Sequence, residues 1–285
     1  MSTLFVDLLT VIDFCYFDRQ RGVIGESWIV DVKLFGELND EGMVFDFGHV
    51  KKQIKQAIDS GIDHKLVVPV QAEGLSIVEK DDEIFIEHHH NGVLTLKYQS
   101  PREAVYLIES KDVQIKTVER MLEEYLNTLM PSNVKRVEIK LRCEDIPTDF
   151  YHYAHGLKKH LGDCQRIAHG HRSKIEVNID QKRNSDAENL VATWFHDIYI
   201  GTQEDIKSTF EQDGQSFYEF AYEAEQGFFS ICLNQNRCHL MQTDTTVELI
   251  AQHLCDLLGE QYPNDDILVK AFEGVQKGAI SQIIR

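Results

Sequence analysis

A chain of 285 residues with 42% apolar and 27% charged residues has ordinary globular composition and is long enough for one large domain or two of common size. Its net charge of −18 argues against nucleic acid or an anionic membrane surface as partner, because both select clustered Lys and Arg. No apolar run approaches the ~18 residues of a membrane span, and the opening MSTLFVDLLTVIDF carries acids inside its apolar stretch, so it does not read as a signal peptide.

The six cysteines are scattered without framework spacing, which reads as free thiols in a reducing compartment and hence a cytoplasmic protein.

In chain order, WIVDVKLFG (28–36) alternates Val30, Val32 and Leu34 with polar neighbours and is predicted to be a strand. EIFIEHHHNGVLTLKY (83–98) reads as a hairpin with a polar tip, its three histidines being turn residues. TVERMLEEYLNTL, from Thr117, has helical spacing behind a capping Thr, and VKRVE (134–138) follows as a strand. A boundary is expected near CEDIPTD (143–149), giving domains 1–145 and 146–285.

The second half echoes the first. KIEVNID (174–180) alternates Ile175, Val177 and Ile179; FFSICLNQNRCHLMQ (228–242) reads as another hairpin; TVELIAQHLCDLL, from Thr246, is a helix; VKAFE (269–273) closes it. Matching the alternating strands sets IGES (24–27) opposite HGHR (169–172), with Gly25 facing Gly170.

CQRIAHGH (164–171) is the stretch with the most chemistry. Residues i and i+2 of a strand share a face, so His169 and His171 can offer imidazoles to one ion, and His155 in FYHYAHGL is the nearest third ligand, with His152 and His160 as competitors. Cys164 beside a cation and imidazoles could act as base or nucleophile, serve as a fourth ligand, or be an inert buried thiol; the other five cysteines take the last reading. A bare H-x-H pair is more often a solvated strand than a metal site.

YAHGL, Cys164 and HGH before an alternating strand resemble the zinc and cysteine region of the 6-pyruvoyltetrahydropterin synthase and 6-carboxytetrahydropterin synthase family. GMVFDFGHVKKQI and IDHKLVV (42–68) resemble that family's strand end, helix and Asp-His pair, and the TVE, VK and final Glu that close each half resemble its last helix and strand. The resemblance covers nearly the whole chain, taken twice. It implies an α+β fold of two tandem tunnelling-fold domains, each an antiparallel four-stranded sheet with two helices on one face, assembling as a homo-oligomeric barrel.

The signatures are divided. Ile24 and Glu26 stand where the first half would need its histidine pair, and the second half has no histidine in TFEQDG (209–214), where Asp-His would fall. The family builds its site between neighbouring subunits, so the resemblance implies one composite site: zinc on His155, His169 and His171, Cys164 as base, and Asp63 orienting His64 as proton relay. The final-strand Glu maps onto Glu273 or Glu138, of which Glu273 is favoured because it belongs to the zinc-bearing half. Glu138, Glu248 and Thr246 are the implied substrate-binding residues, although a first-turn Glu248 favours the helix dipole whatever its role. The expected activity is a zinc-dependent 6-carboxytetrahydropterin synthase-like lyase acting on 7,8-dihydroneopterin triphosphate. A 6-pyruvoyl product, or a non-catalytic pterin- or purine-binding protein, are the alternatives.

Overall fold

The computed structural model describes residues 1–285 apart from the side chains of Phe47, His49 and Val50, so those three members of the GMVFDFGHV motif lie outside the described residues. Two long strands open the chain. β1 (Ser2–Asp18) is rich in Val, Ile, Phe and Tyr, and β2 (Gly22–Gly36) contains the alternation read at 28–36. α1 (Phe47–Gly61) leads to β3 (Leu66–Pro69); then come β4 (Leu75–Lys80), β5 (Glu83–His90), β6 (Val93–Pro101) and β7 (Val105–Ile108). α2 (Ile115–Leu129) and β8 (Val134–Arg142) complete the set.

The second set repeats the order. It comprises β9 (Phe150–His155), β10 (His169–Ile179), the two-residue β11 (Lys182–Arg183), α3 (Ser185–Trp194), β12 (Ile198–Thr202), β13 (Ile206–Gln212), β14 (Gln215–Ala224), β15 (Gly227–Asn234), β16 (Cys238–Met241), α4 (Val247–Gln261), β17 (Ile267–Phe272) and β18 (Gly278–Ile283).

The first sheet has the order β7-β3-β1-β2-β8 and the second β16-β12-β9-β10-β17-β18, with β11 beside β10. Each sheet carries its two helices on one buried face, α1 and α2 through Ile54, Ile58, Leu122 and Leu126, α3 and α4 through Val191, Ile250, Leu254 and Leu258. Full burial of each such side chain is worth about 1.5–3 kcal/mol. Among the described residues no helix is long and apolar enough to cross a membrane.

Neither half forms the expected four-stranded antiparallel sheet. Five strands of each sheet match, and β3 and β7, like β12 and β16, run parallel to the strands beside them. A parallel neighbour needs a crossover, which α1 supplies before β3 and the segment β4–β6 before β7. That segment leaves the first sheet and joins its counterpart, β13–β15, in a third, six-stranded antiparallel sheet spanning both halves through the β6–β15 pair. The hairpin read at 83–98 is β5–β6, turning at Asn91-Gly92 with both φ positive. The hairpin read at 228–242 does not form: β15 stays in the third sheet while β16 returns to the second. His88 is buried rather than part of an exposed tip, bonded to Thr95 Oγ1 and the Glu73 carbonyl.

Strand register fixes how the halves correspond. Tyr16 pairs with Ile24 and Cys15 with Gly25, as His155 pairs with His169 and Ala154 with Gly170. Leu66 lies opposite Cys15, and Tyr199 opposite Ala154. His64 therefore matches Asp197, and both take a left-handed φ, 54° and 52°. On the closing strands Val32 pairs with Ile139 and Val177 with Val269. Glu273 then matches Cys143 rather than Glu138, so the VKRVE and VKAFE echo is out of structural register.

Gly25 and Gly170 meet where the two sheets cross. A Cβ on Gly25 would stand 1.8 Å from the Tyr153 carbonyl oxygen, and one on Gly170 would stand 2.7 Å from the Gly25 Cα. The outer edge of β8 is closed by its own helix. Val137, Ile139 and Leu141 donate backbone N–H groups to Asn127 Oδ1, Glu123 Oε1 and Glu119 Oε1.

Candidate metal and acid–base site

β9 and β10 run antiparallel with His155 directly opposite His169, and His171 follows two residues on, so all three imidazoles share one face of the sheet. All three are buried, and one ligand atom from each lies within 4.8 Å of the others. Among the described residues no other group of three His, Cys, Asp or Glu comes as close.

The ring orientations fit a cation. His155 Nδ1 donates to the Thr245 carbonyl at 3.0 Å and stands 3.1 Å from Thr245 Oγ1; His169 Nδ1 donates to the Arg166 carbonyl at 3.1 Å; His171 Nδ1 lies 3.2 Å from Asp13 Oδ1. The engaged Nδ1 atoms of His155 and His169 leave Nε2 bare, and the buried Nε2 of His155 has no hydrogen-bond partner. Neither ring nitrogen of His171 makes a hydrogen bond, its Nδ1 meeting Asp13 only at ion-pair distance. Burial pushes His155 and His169 well below the usual imidazole range, aided by the neighbouring imidazoles, and the neutral ring is the form that ligates a metal. The residues present therefore fit a divalent metal with nitrogen ligands, such as zinc.

The first half reaches this site through Asp13. Its backbone N–H donates to Asp63 Oδ1 at 2.9 Å and its carbonyl accepts from the His64 N–H at 2.7 Å, which holds the Asp63-His64 turn against β1. Its carboxylate faces His171, accepts from Ser27 Oγ at 2.5 Å and lies 3.0 Å from Lys277 Nζ. Burial works against charge on Asp13, but these partners outweigh it and hold the carboxyl below the usual range.

Asp63 Oδ2 lies 2.8 Å from His64 Nδ1, and the His64 ring centroid is 5.5 Å from that of His169. Burial disfavours the imidazolium of His64, yet the Asp63 carboxylate on its Nδ1 and the neighbouring Cys164 lift its pKa to about 10. Cys164, partly exposed on a short turn, thus lies within reach of His64, and its carbonyl accepts from the Leu157 N–H at 2.9 Å.

Glu273 Oε1 is 3.9 Å from His171 Nε2. The chain bends after it at Gly274, which has φ 70°, lacks room for a Cβ beside Asp13, and donates its N–H to Ser173 Oγ at 3.0 Å. Seven of the ten residues singled out in the sequence therefore converge: His155, His169, His171, Cys164, Asp63, His64 and Glu273.

Three do not. Glu138 faces away on β8, paired with Lys33 at 3.2 Å and Arg136 at 3.1 Å. Thr246 caps α4 by accepting from the Leu249 N–H, and Glu248 is exposed on the first turn of that helix. The threonine that touches the site is its neighbour Thr245. Of the competing ligands, His152 turns to the Gly25 carbonyl at 2.8 Å and His160 is exposed. Sequence reasoning missed Asp13, Ser27, Thr245 and Lys277. Only Asp13 carries a signal, as an acid inside the apolar run TVIDFCYF, where a buried carboxylate needs a partner.

The matching place in the first half is built differently. Tyr16, Ile24 and Glu26 stand at the positions of His155, His169 and His171, and Asp197 stands at that of His64. Glu26 Oε2 lies 3.9 Å from His152 Nδ1, and Asp197 takes Arg21 in a fork of 2.7 and 2.5 Å.

Comparison with known proteins gives one consistent relationship. A family model described as 6-pyruvoyl tetrahydropterin synthase matches residues 13–140 and again 146–279. A protein of Methanocaldococcus jannaschii named "Putative 6-carboxy-5,6,7,8-tetrahydropterin synthase" is 31% identical over 127 residues, 42% of this chain and 74% of its own length. A Pyrococcus horikoshii protein of the same name is 28% identical over 126 residues, 44% and 71% of the two chains. A solved Plasmodium falciparum 6-pyruvoyl tetrahydropterin synthase covers 50% of this chain and 97% of its own at 16% identity, with a TM-score of 0.37. With two consecutive matches that together span nearly all of it, the chain belongs to the 6-pyruvoyl tetrahydropterin synthase family as a tandem duplication.

Proposed function

We propose that the chain is a zinc-dependent lyase of the 6-carboxytetrahydropterin synthase type, acting on 7,8-dihydroneopterin triphosphate at one composite site drawn from both halves. The observation that carries this reading is the meeting of Asp63 and His64, from the first half, with Cys164 and the three histidines of the second. The names of the curated relatives favour the 6-carboxy product over the 6-pyruvoyl one.

His155, His169 and His171 would hold the zinc, which supplies Lewis acidity to hydroxyls of the substrate side chain. Cys164 would take a proton from that side chain. His64, with its pKa of about 10, can hold and return a proton while Asp63 fixes its tautomer and orientation. Glu273, beside His171, suits the 2-amino and N3–H edge of a pterin, because a carboxylate accepts two hydrogen bonds there. A homo-oligomer remains part of the proposal, although both halves of the site already lie within one chain.

The test is zinc content together with turnover of 7,8-dihydroneopterin triphosphate by wild type, Cys164→Ala, His64→Ala and Glu138→Gln. We expect about one zinc per chain, turnover lowered about a thousandfold or more by each of the first two substitutions, and little change from the third. Zinc without turnover in the wild type would reject the lyase and leave a pterin-binding protein.

A further inference from the structure

Beside the Arg21–Asp197 pair, at the edge of the matching place in the first half, lies a cavity. In the second half, residues 156–168 join β9 to β10 and pack against the third sheet, where Tyr222 Oη donates to the Gln165 carbonyl at 2.8 Å and Gln226 donates to Asp163 Oδ1 at 2.7 Å. In the first half only Arg19, Gln20 and Arg21 join β1 to β2. There a cavity of about 310 Å³ is walled by residues of both halves. That volume is at the lower end of small-molecule sites.

Its lining combines an apolar floor with a basic rim. Val23, Leu94, Tyr199 and Leu233 are buried and supply the floor. Among the lining residues Arg19, Arg21 and Arg237 face a single carboxylate, Asp197, in a chain whose net charge is −18. Asp197 is committed to Arg21, whose Nη1 also donates to Tyr16 Oη at 3.1 Å, so that guanidinium is fixed. The other two keep capacity. Arg237 makes one long bond to the Gln20 carbonyl at 3.4 Å, and Arg19 lies 3.7 Å from an exposed Glu73 carboxylate.

We propose that this cavity is a second binding site, for a small molecule carrying two or more phosphates, with Arg19 and Arg237 on the phosphates and the apolar floor under a flat ring. Two unsaturated guanidiniums arriving from different halves suit an extended polyphosphate, because each planar fork can take two oxygens. A lone carboxylate would engage only one of them. The site binds without transforming its ligand: among the described residues its lining holds no imidazole and no thiol, and its one carboxylate, Asp197, is taken by Arg21. It stands independently of the catalytic reading.

Calorimetric titration of the full zinc-loaded chain with inorganic tripolyphosphate, and separately with GTP, tests this. We expect binding of both probes, unchanged in Cys164→Ala and weakened roughly tenfold or more in the double variant Arg19→Gln/Arg237→Gln. The melting temperature and pterin turnover of the double variant should match the wild type. Arg237→Lys, which keeps the charge and loses the fork, should fall between the two. Failure of both probes to bind the wild type, or equal affinity in the double variant, would overturn the proposal. An inactive wild type that still binds tripolyphosphate through Arg19 and Arg237 would reject the lyase and leave this site standing.

Discussion

In the second half His171 faces Asp13, and at the matching place in the first half Glu26 faces His152, so acid and imidazole have exchanged strands. The same exchange recurs at the next position, where Asp63-His64 corresponds to His196-Asp197. The exchange decides the chemistry. Imidazoles at 155, 169 and 171 leave bare nitrogens converging on one point, whereas Tyr16, Ile24 and Glu26 offer one carboxyl in apolar surroundings. Burial then drives that carboxyl and its histidine toward neutrality, Glu26 up to about 7 and His152 down to about 4. Asp13, with Lys277 and Ser27 at hand, keeps its charge. One half presents three buried imidazoles that fit a cation, and the other a buried carboxyl beside an imidazole that burial keeps neutral, next to the Arg21–Asp197 pair.

The largest effect should come from removing a ligand on the cation side. His169→Ala is expected to abolish stoichiometric zinc and to lower pterin turnover by about a thousandfold or more, while Tyr16→Phe, at a corresponding ligand position, leaves both unchanged. Zinc content by atomic absorption on the two variants decides this, and equal zinc in both would break the distinction between the halves.

Asp13→Asn probes the exchange itself. Asn keeps the shape but loses the charge that orients His171, so zinc affinity should drop about 10- to 100-fold in competition with a chromogenic chelator. His152→Gln, its counterpart, should leave zinc affinity alone. If the two behave alike, the Asp13–His171 contact has no part in holding the metal.

Much of this was legible in the sequence, and for physical reasons. Period-2 alternation marks β2 and β10 because each carries apolar side chains toward its helices, and the HGH spacing is a strand property that a reader can trust. The match of Gly25 with Gly170 also survives, since only residues without a Cβ fit where the sheets cross. What misled was similarity on exposed surfaces. VKRVE and VKAFE look alike, yet Glu138 is an outward ion-pair residue on β8 and its structural counterpart is Leu268. The TVE echo fails for another reason: Thr246 caps α4, whereas Thr117 lies inside α2, whose N-cap is Gln114, and the buried faces match Val118 and Leu122 to Ile250 and Leu254, not to Val247. The departure of β4–β6 and β13–β15 into a shared sheet is a long-range pairing that local alternation cannot reveal.

Asp197→Asn measures what the first half has in place of His64. The substitution removes the charge partner of Arg21 from a buried position, although Arg21 itself is partly solvated. We expect a loss of about 3 kcal/mol in urea unfolding with zinc content unchanged. A loss of zinc would mean that the two clusters are coupled across the glycine crossing.

Glu26→Gln gives the smallest effect and the finest test, because its sign depends on pH. The folded protein holds Glu26 at about 7 against an ordinary 4.5, chiefly through burial, so the folded state binds a proton that the unfolded chain has released in that interval. Its contribution to stability is complete below about pH 4.5 and is lost as pH rises through about 7. Gln at this position carries no charge at any pH, and its side-chain oxygen can still accept the Ser27 N–H that Glu26 Oε1 now accepts at 2.9 Å. The variant should therefore match the wild type at pH 5 and exceed it by about 2 kcal/mol at pH 8, read from denaturation midpoints at the two pH values. A variant that is weaker than wild type at pH 8 would mean that Glu26 is ionised and paired in the fold. The first half would then be a charged site in its own right.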